Sequence, residues 1–230
     1  MTPRLEHLWQ LVTQRMSGCD LAHDAEHVAR VTRWCSCLAA EAGADPELAT
    51  AAGMVHDLVA IPKDHPDRPM GGEWSAQAAD GLLTTAGFTT VESTAIVEAV
   101  RTCSWSRGLR PTGPLGQVLQ DADRLDAIGM IGLARMIATA QDMATRSPGA
   151  LYAPDQPWPT TRPADDRRYA LDHVVVKLRH LAAGMWTPRA QREAARRQQA
   201  MEQAVASLLQ DIHDPAAQTE DAPLPAGGDS

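Results

Sequence analysis

The sequence predicts an all-helical protein, and three observations carry that prediction. Alanine, leucine, glutamine, glutamate and arginine are plentiful, whereas alternating runs of valine, isoleucine, tyrosine and phenylalanine are missing. The first group favours helices, and the missing pattern is the one strands need. Helix punctuation also recurs: Gly43 is followed by Asp45-Pro46, Gly87 divides two apolar stretches, and Pro114 opens another. Glycine at a helix end and proline at a helix start are the expected signs. At 230 residues the chain is long enough to bury a substantial core, as one large domain or as a domain with an appendage.

The first helix covers residues 3–17, with Leu5, Leu8, Trp9, Leu11, Val12 and Met16 as its apolar face and Ser17-Gly18 as its stop. A second runs from Asp20, an N-cap residue, to about Glu41, packing through Val28, Val31, Trp34, Cys35 and Leu38. His23 and His27 share one face of it, with Arg30 a turn later. The third helix, about 46–59, is small and apolar at positions 51–55 and then meets His56-Asp57. Two ionisable groups at the mouth of a buried helix need a partner or a metal. Adjacent helical residues project about 100° apart, so both side chains can reach one ion from its side. A core histidine beside a helix-end carboxylate would produce the same pair.

Pro62, Pro66 and Pro69 exclude a helix from the next stretch. This loop carries Lys63, His65 and Arg68, the cations that phosphate capture beside a metal would use. Helices over 73–86 and 89–102 follow, then an irregular connector, Cys103–Gly108. A long, largely buried helix is predicted from Pro114 to about Met143, and it contains Asp121, Asp123 and Asp126. Asp121 and Asp123 project about 200° apart and cannot easily serve one ion. Asp123 is the better ligand, with Asp121 held by Arg124 or by backbone donors. Residues 145–164 read as a long loop, a candidate lid, before helices over about 165–183 and 188–211. The division is a core over 1–143, a C-terminal helical extension packed on it over 144–213, and a disordered tail over 214–230.

A net charge of −8 without a basic stripe argues against duplex nucleic acid as a partner. The start MTPRLEHLWQ has no apolar signal segment, and no run of about 18 apolar residues exists to span a membrane. Cys19, Cys35, Cys37 and Cys103 form no C-x-x-C pair, which points to a reduced, cytoplasmic protein.

Three spaced elements, His27-x-x-Arg30-Val31, His56-Asp57 and Asp123-Arg124-Leu125, are similar to the H…HD…D signature of the HD superfamily of metal-dependent phosphohydrolases. The longer forms Asp20-x-x-His23-Asp24-x-x-His27, Leu58-Val59-x-x-Pro62-Lys63-x-His65-Pro66 and Gln120-Asp121-Ala122-Asp123-Arg124-Leu125-Asp126 resemble its small bacterial YedJ/YpgQ-like branch. His173-x-x-x-Lys177-Leu178 and Met185-x-Thr187 resemble that branch's C-terminal half, so the likeness covers roughly residues 5–205.

The resemblance implies a single-domain HD-type helical bundle with one divalent metal ion held by His27, His56, Asp57 and Asp123. It implies hydrolysis of a small phosphate ester or anhydride, a nucleotide or a related compound, through a metal-activated water. Imidazole and carboxylate ligands suit Mn, Mg, Co or Fe. His23 and Asp24 would position or move protons beside the ligands, Lys63 and His65 would contact phosphate, and Lys177 would join them. A homodimer stays open.

The sequence departs from that branch at Cys103-Ser104-Trp105-Ser106, where the branch has His-Ser-Phe-Ser, and in the glycine-rich Met70-Gly71-Gly72-Glu73-Trp74. A cysteine at 103 reads as a small buried hydrophobe. Its presence keeps a second reading alive, a metal- or nucleotide-binding module without turnover. A third, an HD-type di-iron oxygenase, needs extra histidines between His56-Asp57 and Asp123, and only His65 stands there.

Overall fold

A computed structural model describes residues 1–16, 22 and 24–213, without the side chain of Ser106. All the regular elements among the described residues are helical, and the only pairing of extended backbone there is an isolated bridge between Ala150 and Tyr169. His23, the expected cap Asp20 and the tail expected over 214–230 lie outside the described residues.

Helix α1 (Pro3–Arg15) buries Leu5, Leu8 and Val12. Helix α2 (Ala25–Ala42) starts at Asp24, whose carboxylate accepts the His27 N–H at 2.9 Å. It ends at Gly43, where φ is +73°, a value glycine adopts without strain. Helix α3 (Pro46–Val55) opens with Asp45 capping Glu47 and Leu48 and buries Ala49 and residues 51–55. It stops four residues before its expected end. The Val59 N–H is bonded to the Ser75 hydroxyl instead of to a helical carbonyl, so the chain turns away just after His56-Asp57.

Helices α4 (Gly71–Thr85) and α5 (Thr90–Cys103) form a hairpin, α5 being capped by a reciprocal Thr89–Glu92 box. The long helix expected from 114 to 143 is two helices, α6 (Pro114–Asp126) and α7 (Gly129–Ala144). Ile128 is extended and Gly129 has φ of +76°, which breaks the hydrogen-bond ladder between them. The helix expected over 165–183 is also shorter and irregular. Asp172 is fully buried and accepts two bonds from Arg162 and one from the Asp165 N–H, which holds the preceding chain in a loop. A π-helical turn (Val174–Leu178) then leads into the short α8 (Arg179–Leu181). Thr187 caps α9 (Pro188–Ile212).

Helix α2 packs on α3 and α6, α5 closes over α6, and α9 lies along α7 and touches α6. The core therefore surrounds the helices that bear His27, His56-Asp57 and Asp123. Helices α2 and α3 approach closely: a methyl group on Gly53 would sit 2.8 Å from the Thr32 Cα and 3.1 Å from the Cys35 Sγ. Forcing α2 and α3 apart by that group should destabilise the fold by about 1–3 kcal/mol. Gly53→Ala should show this as a lower denaturant midpoint, measured by circular dichroism.

Candidate metal centre

Three neighbouring helices deliver the donor groups. His27 projects inward from the first turn of α2, His56 and Asp57 follow the last turn of α3, and Asp123 comes from α6. The two imidazole Nε2 atoms lie 3.2 Å apart. Asp57 Oδ2 is 3.9 Å from His27 Nε2, and Asp123 Oδ1 is 3.8 Å from His27 Nε2 and 3.9 Å from His56 Nε2. Donors bonded to one ion at about 2.0–2.2 Å lie no more than roughly 4.4 Å apart, and every one of these separations is below that. His27, His56 and Asp57 in particular form a cluster able to hold a metal ion.

The far side of each imidazole fixes its tautomer. His27 Nδ1 donates to Asp126 Oδ2 at 2.7 Å, and His56 Nδ1 donates to the Gly53 carbonyl at 2.8 Å. Both Nε2 atoms are thereby left as acceptors pointing at each other, an arrangement a cation relieves. Burial lowers the pKa of His27, against the opposing pull of Asp126, so its ring is neutral and ready to ligate. Asp126 is itself fully buried and also takes Arg30 Nε at 2.7 Å, with Arg135 Nη1 at 3.3 Å. Burial alone would raise its pKa, but the bonds from His27 and Arg30 outweigh that and hold it well below the usual carboxylate range.

Asp121, two residues before Asp123, faces the other way. It is fully buried and accepts the Trp186 and Thr187 N–H groups and the Thr187 hydroxyl, each at 2.8 Å. Backbone donors hold it, whereas Arg124 turns to Gln120 and the Gly184 carbonyl. Burial pushes its pKa up against those three bonds.

A cavity of about 380 Å³ opens over the cluster. Its charged lining combines Asp57, Asp123 and Asp166 with Lys63, Arg68, Arg135, Arg167 and Lys177. Lys63 Nζ lies 2.8 Å from Asp166 Oδ2 and 2.9 Å from His173 Nδ1, and His173 Nδ1 reaches the same carboxylate oxygen at 2.7 Å. With His173 as an N–H donor, Asp166 accepts from both neighbours, and the bond from His173 in particular holds its pKa well below the usual range. Lys177 sits with its ammonium 5.6 Å from the centre of the Trp105 ring, and burial brings its pKa down to about 8.

Other expected residues fall elsewhere. His65 does not line the cavity; its side chain is about half exposed and accepts the Asp67 N–H. Asp24 is absent from the cavity wall and serves as the cap of α2. Cys103 does line it, with Sγ 4.0 Å from Asp123 Oδ2. Burial and the Asp123 charge raise its pKa well above the usual thiol range, so it is present as a thiol. Arg135 and Asp166 belong to none of the motifs. Asp126 closes one of them without a role assigned to it, and its sequence sign is its place three residues from Asp123, on the same helix face.

A helical bundle that gathers two histidines and two aspartates from three packed helices under a cationic cavity defines a class of helical metal-site domains. The HD domain family model matches residues 24–128. A Bacillus subtilis protein, the uncharacterized YpgQ, is 30% identical over 206 residues, spanning 88% of both chains. The chain therefore belongs to the HD-domain family. Its fold agrees: a crystal structure from Lactobacillus plantarum superposes with a TM-score of 0.72 at 28% identity, covering 92% of this chain and 97% of that one. The crystal structure of YpgQ in complex with ADP gives 0.68 at 27% identity, covering 91% and 95%. A predicted HD superfamily hydrolase from an uncultured Thermotogales bacterium gives 0.58 at 25%, covering 91% and 93%.

Removing the buried partner that orients a ligand histidine typically weakens metal binding 10–100-fold. Asp126→Asn should lower Mn²⁺ affinity by about that factor, read by titration calorimetry, while circular dichroism confirms a helical fold.

Proposed function

We propose that this protein is a metal-dependent phosphohydrolase acting on a nucleotide or a related small phosphate compound, with His27, His56, Asp57 and Asp123 as the metal ligands. The observation that carries this reading is the cavity itself. In a chain of net charge −8, five cationic side chains converge on the space above the four donors. Such a cavity draws in an anion that the rest of the surface repels. The two acceptor Nε2 atoms and two carboxylates suit a divalent ion such as Mn, Mg, Co or Fe. An ion bound there would acidify a coordinated water and polarise a phosphoryl oxygen.

The chain's own residues would do the rest. Asp126 keeps both the tautomer and the direction of His27. Lys63 and Lys177 supply positive charge beside the donors, and Arg68, its guanidinium tied to the Ile61 carbonyl, stiffens the loop that bears Lys63. The ADP-bound structure of YpgQ supports a nucleotide as the ligand class for this chain as well. No helix among the described residues is long and apolar enough to cross a membrane.

Cys103 favours a second reading, nucleotide binding without turnover. A protonated thiol beside Asp123 cannot take up or release a proton as an imidazole would, and a general acid–base group contributes about 10²–10⁴ in rate.

Phosphate release from a panel of phosphorylated metabolites, with Mn²⁺, Mg²⁺ and Co²⁺, tests the proposal; no turnover of any compound with any ion would overturn its catalytic half. Asp57→Ala should abolish both metal retention and activity. Lys63→Ala should raise KM more than it lowers kcat, as expected when a contact is made equally in the ground and transition states. Lys177 loses its charge as pH rises through about 8, so KM for an anionic substrate should climb above that pH. Lys177→Arg, which stays charged, should move that rise to higher pH.

A further inference from the structure

One wall of the cavity is unlike the rest. Gly132, Met136, Thr139, Ala140 and Met143 follow one another at i, i+4, i+7, i+8 and i+11 along α7, which puts them on one helix face. All five line the cavity, together with Arg135 at the near end. Arg135 is tied to the metal centre, with its Nη1 3.3 Å from the Asp126 carboxylate that orients His27. From Arg135 to Met143 the helix rises roughly 12 Å. Beyond Arg135 this stripe carries no charge, and its one hydroxyl belongs to Thr139. Ala170 and Val176 extend the uncharged surface from the C-terminal half.

A phosphate chain has no use for such a surface, because its oxygens need charge or hydrogen-bond donors. The volume of about 380 Å³ also falls in the range of about 300–1,000 Å³ found for whole small-molecule ligands. Methionines at both ends of the stripe supply polarizable, adaptable contacts of the kind that fit a flat ring.

We infer that the α7 face from Met136 to Met143 is the nucleoside subsite, with the phosphates directed past Arg135 to the metal centre. The inference rests on the phosphohydrolase reading above and adds to it the position of the uncharged half of the substrate. The Thr139 hydroxyl is the polar group that meets an edge of the base or sugar.

The test compares ATP with inorganic tripolyphosphate, which has the phosphates and nothing else, in the Mn²⁺-loaded protein. Ala140→Trp fills the stripe and should raise KM for ATP by about tenfold or more, a loss of about 1.4 kcal/mol of binding. KM for tripolyphosphate and Mn²⁺ affinity should stay within about twofold of their original values. Thr139→Leu, a smaller change at the neighbouring position, should move the same way and serves if Ala140→Trp does not fold. Equal effects on both compounds, or no effect on either, would overturn the subsite. If the unsubstituted protein hydrolyses neither, the phosphohydrolase reading is decided by the wider metabolite panel, and calorimetry with ADP decides the subsite. Binding weakened about tenfold by these substitutions supports it; equal affinity in all three proteins, including no binding at all, overturns it.

Discussion

The structure turns on a single buried carboxylate. Asp126 has no exposure to water, so its charge survives only because His27, Arg30 and Arg135 surround it. Those three come from α2 and α7, and Asp126 itself ends α6. One ion network therefore fixes the relative positions of three helices and the direction of one imidazole. A buried charge of this kind contributes little net stability compared with apolar packing, yet leaving it unpaired would cost several kcal/mol. Its effect is to exclude other arrangements of these helices.

This dependence sets the directions of the donor atoms. Each Nε2 is aimed by a bond at the opposite edge of its ring, one to a carboxylate and one to the Gly53 carbonyl. The second bond requires α3 to end where it does, and α3 reaches that point only because Gly53 allows its backbone against Thr32. Imidazole orientation thus depends on helix termination, and helix termination on packing.

Much of this was legible in the sequence because it is local. Caps such as Asp45, stops such as Gly43 and the apolar faces of α1 to α5 depend on neighbours a few residues away. The grouping of His27, His56, Asp57 and Asp123 was legible only through the resemblance of their motifs to the HD superfamily, whereas helix geometry separated Asp121 from Asp123. The break between α6 and α7 was not, since a glycine inside a long apolar run looks like a tolerated helical residue until its positive φ is seen. His65 illustrates a different limit: a loop motif gives a residue's place in the chain but not its direction. Asp166 was beyond reach, because Lys63 is 103 residues away and His173, seven residues on, would lie two turns from it in the helix expected there.

The clip that holds Asp121 has a bearing on how the molecule is made. Its three donors lie 65 and 66 residues further along the chain. At about 5–20 residues per second, a ribosome needs roughly 3–13 s to add that stretch. Throughout that interval the nascent helix carrying Asp123 also carries an unsatisfied neighbour that cannot yet be buried. The helix that carries Asp123 is thus locked in place only after residues up to Thr187 have been made, although the four donors themselves all precede it in the chain.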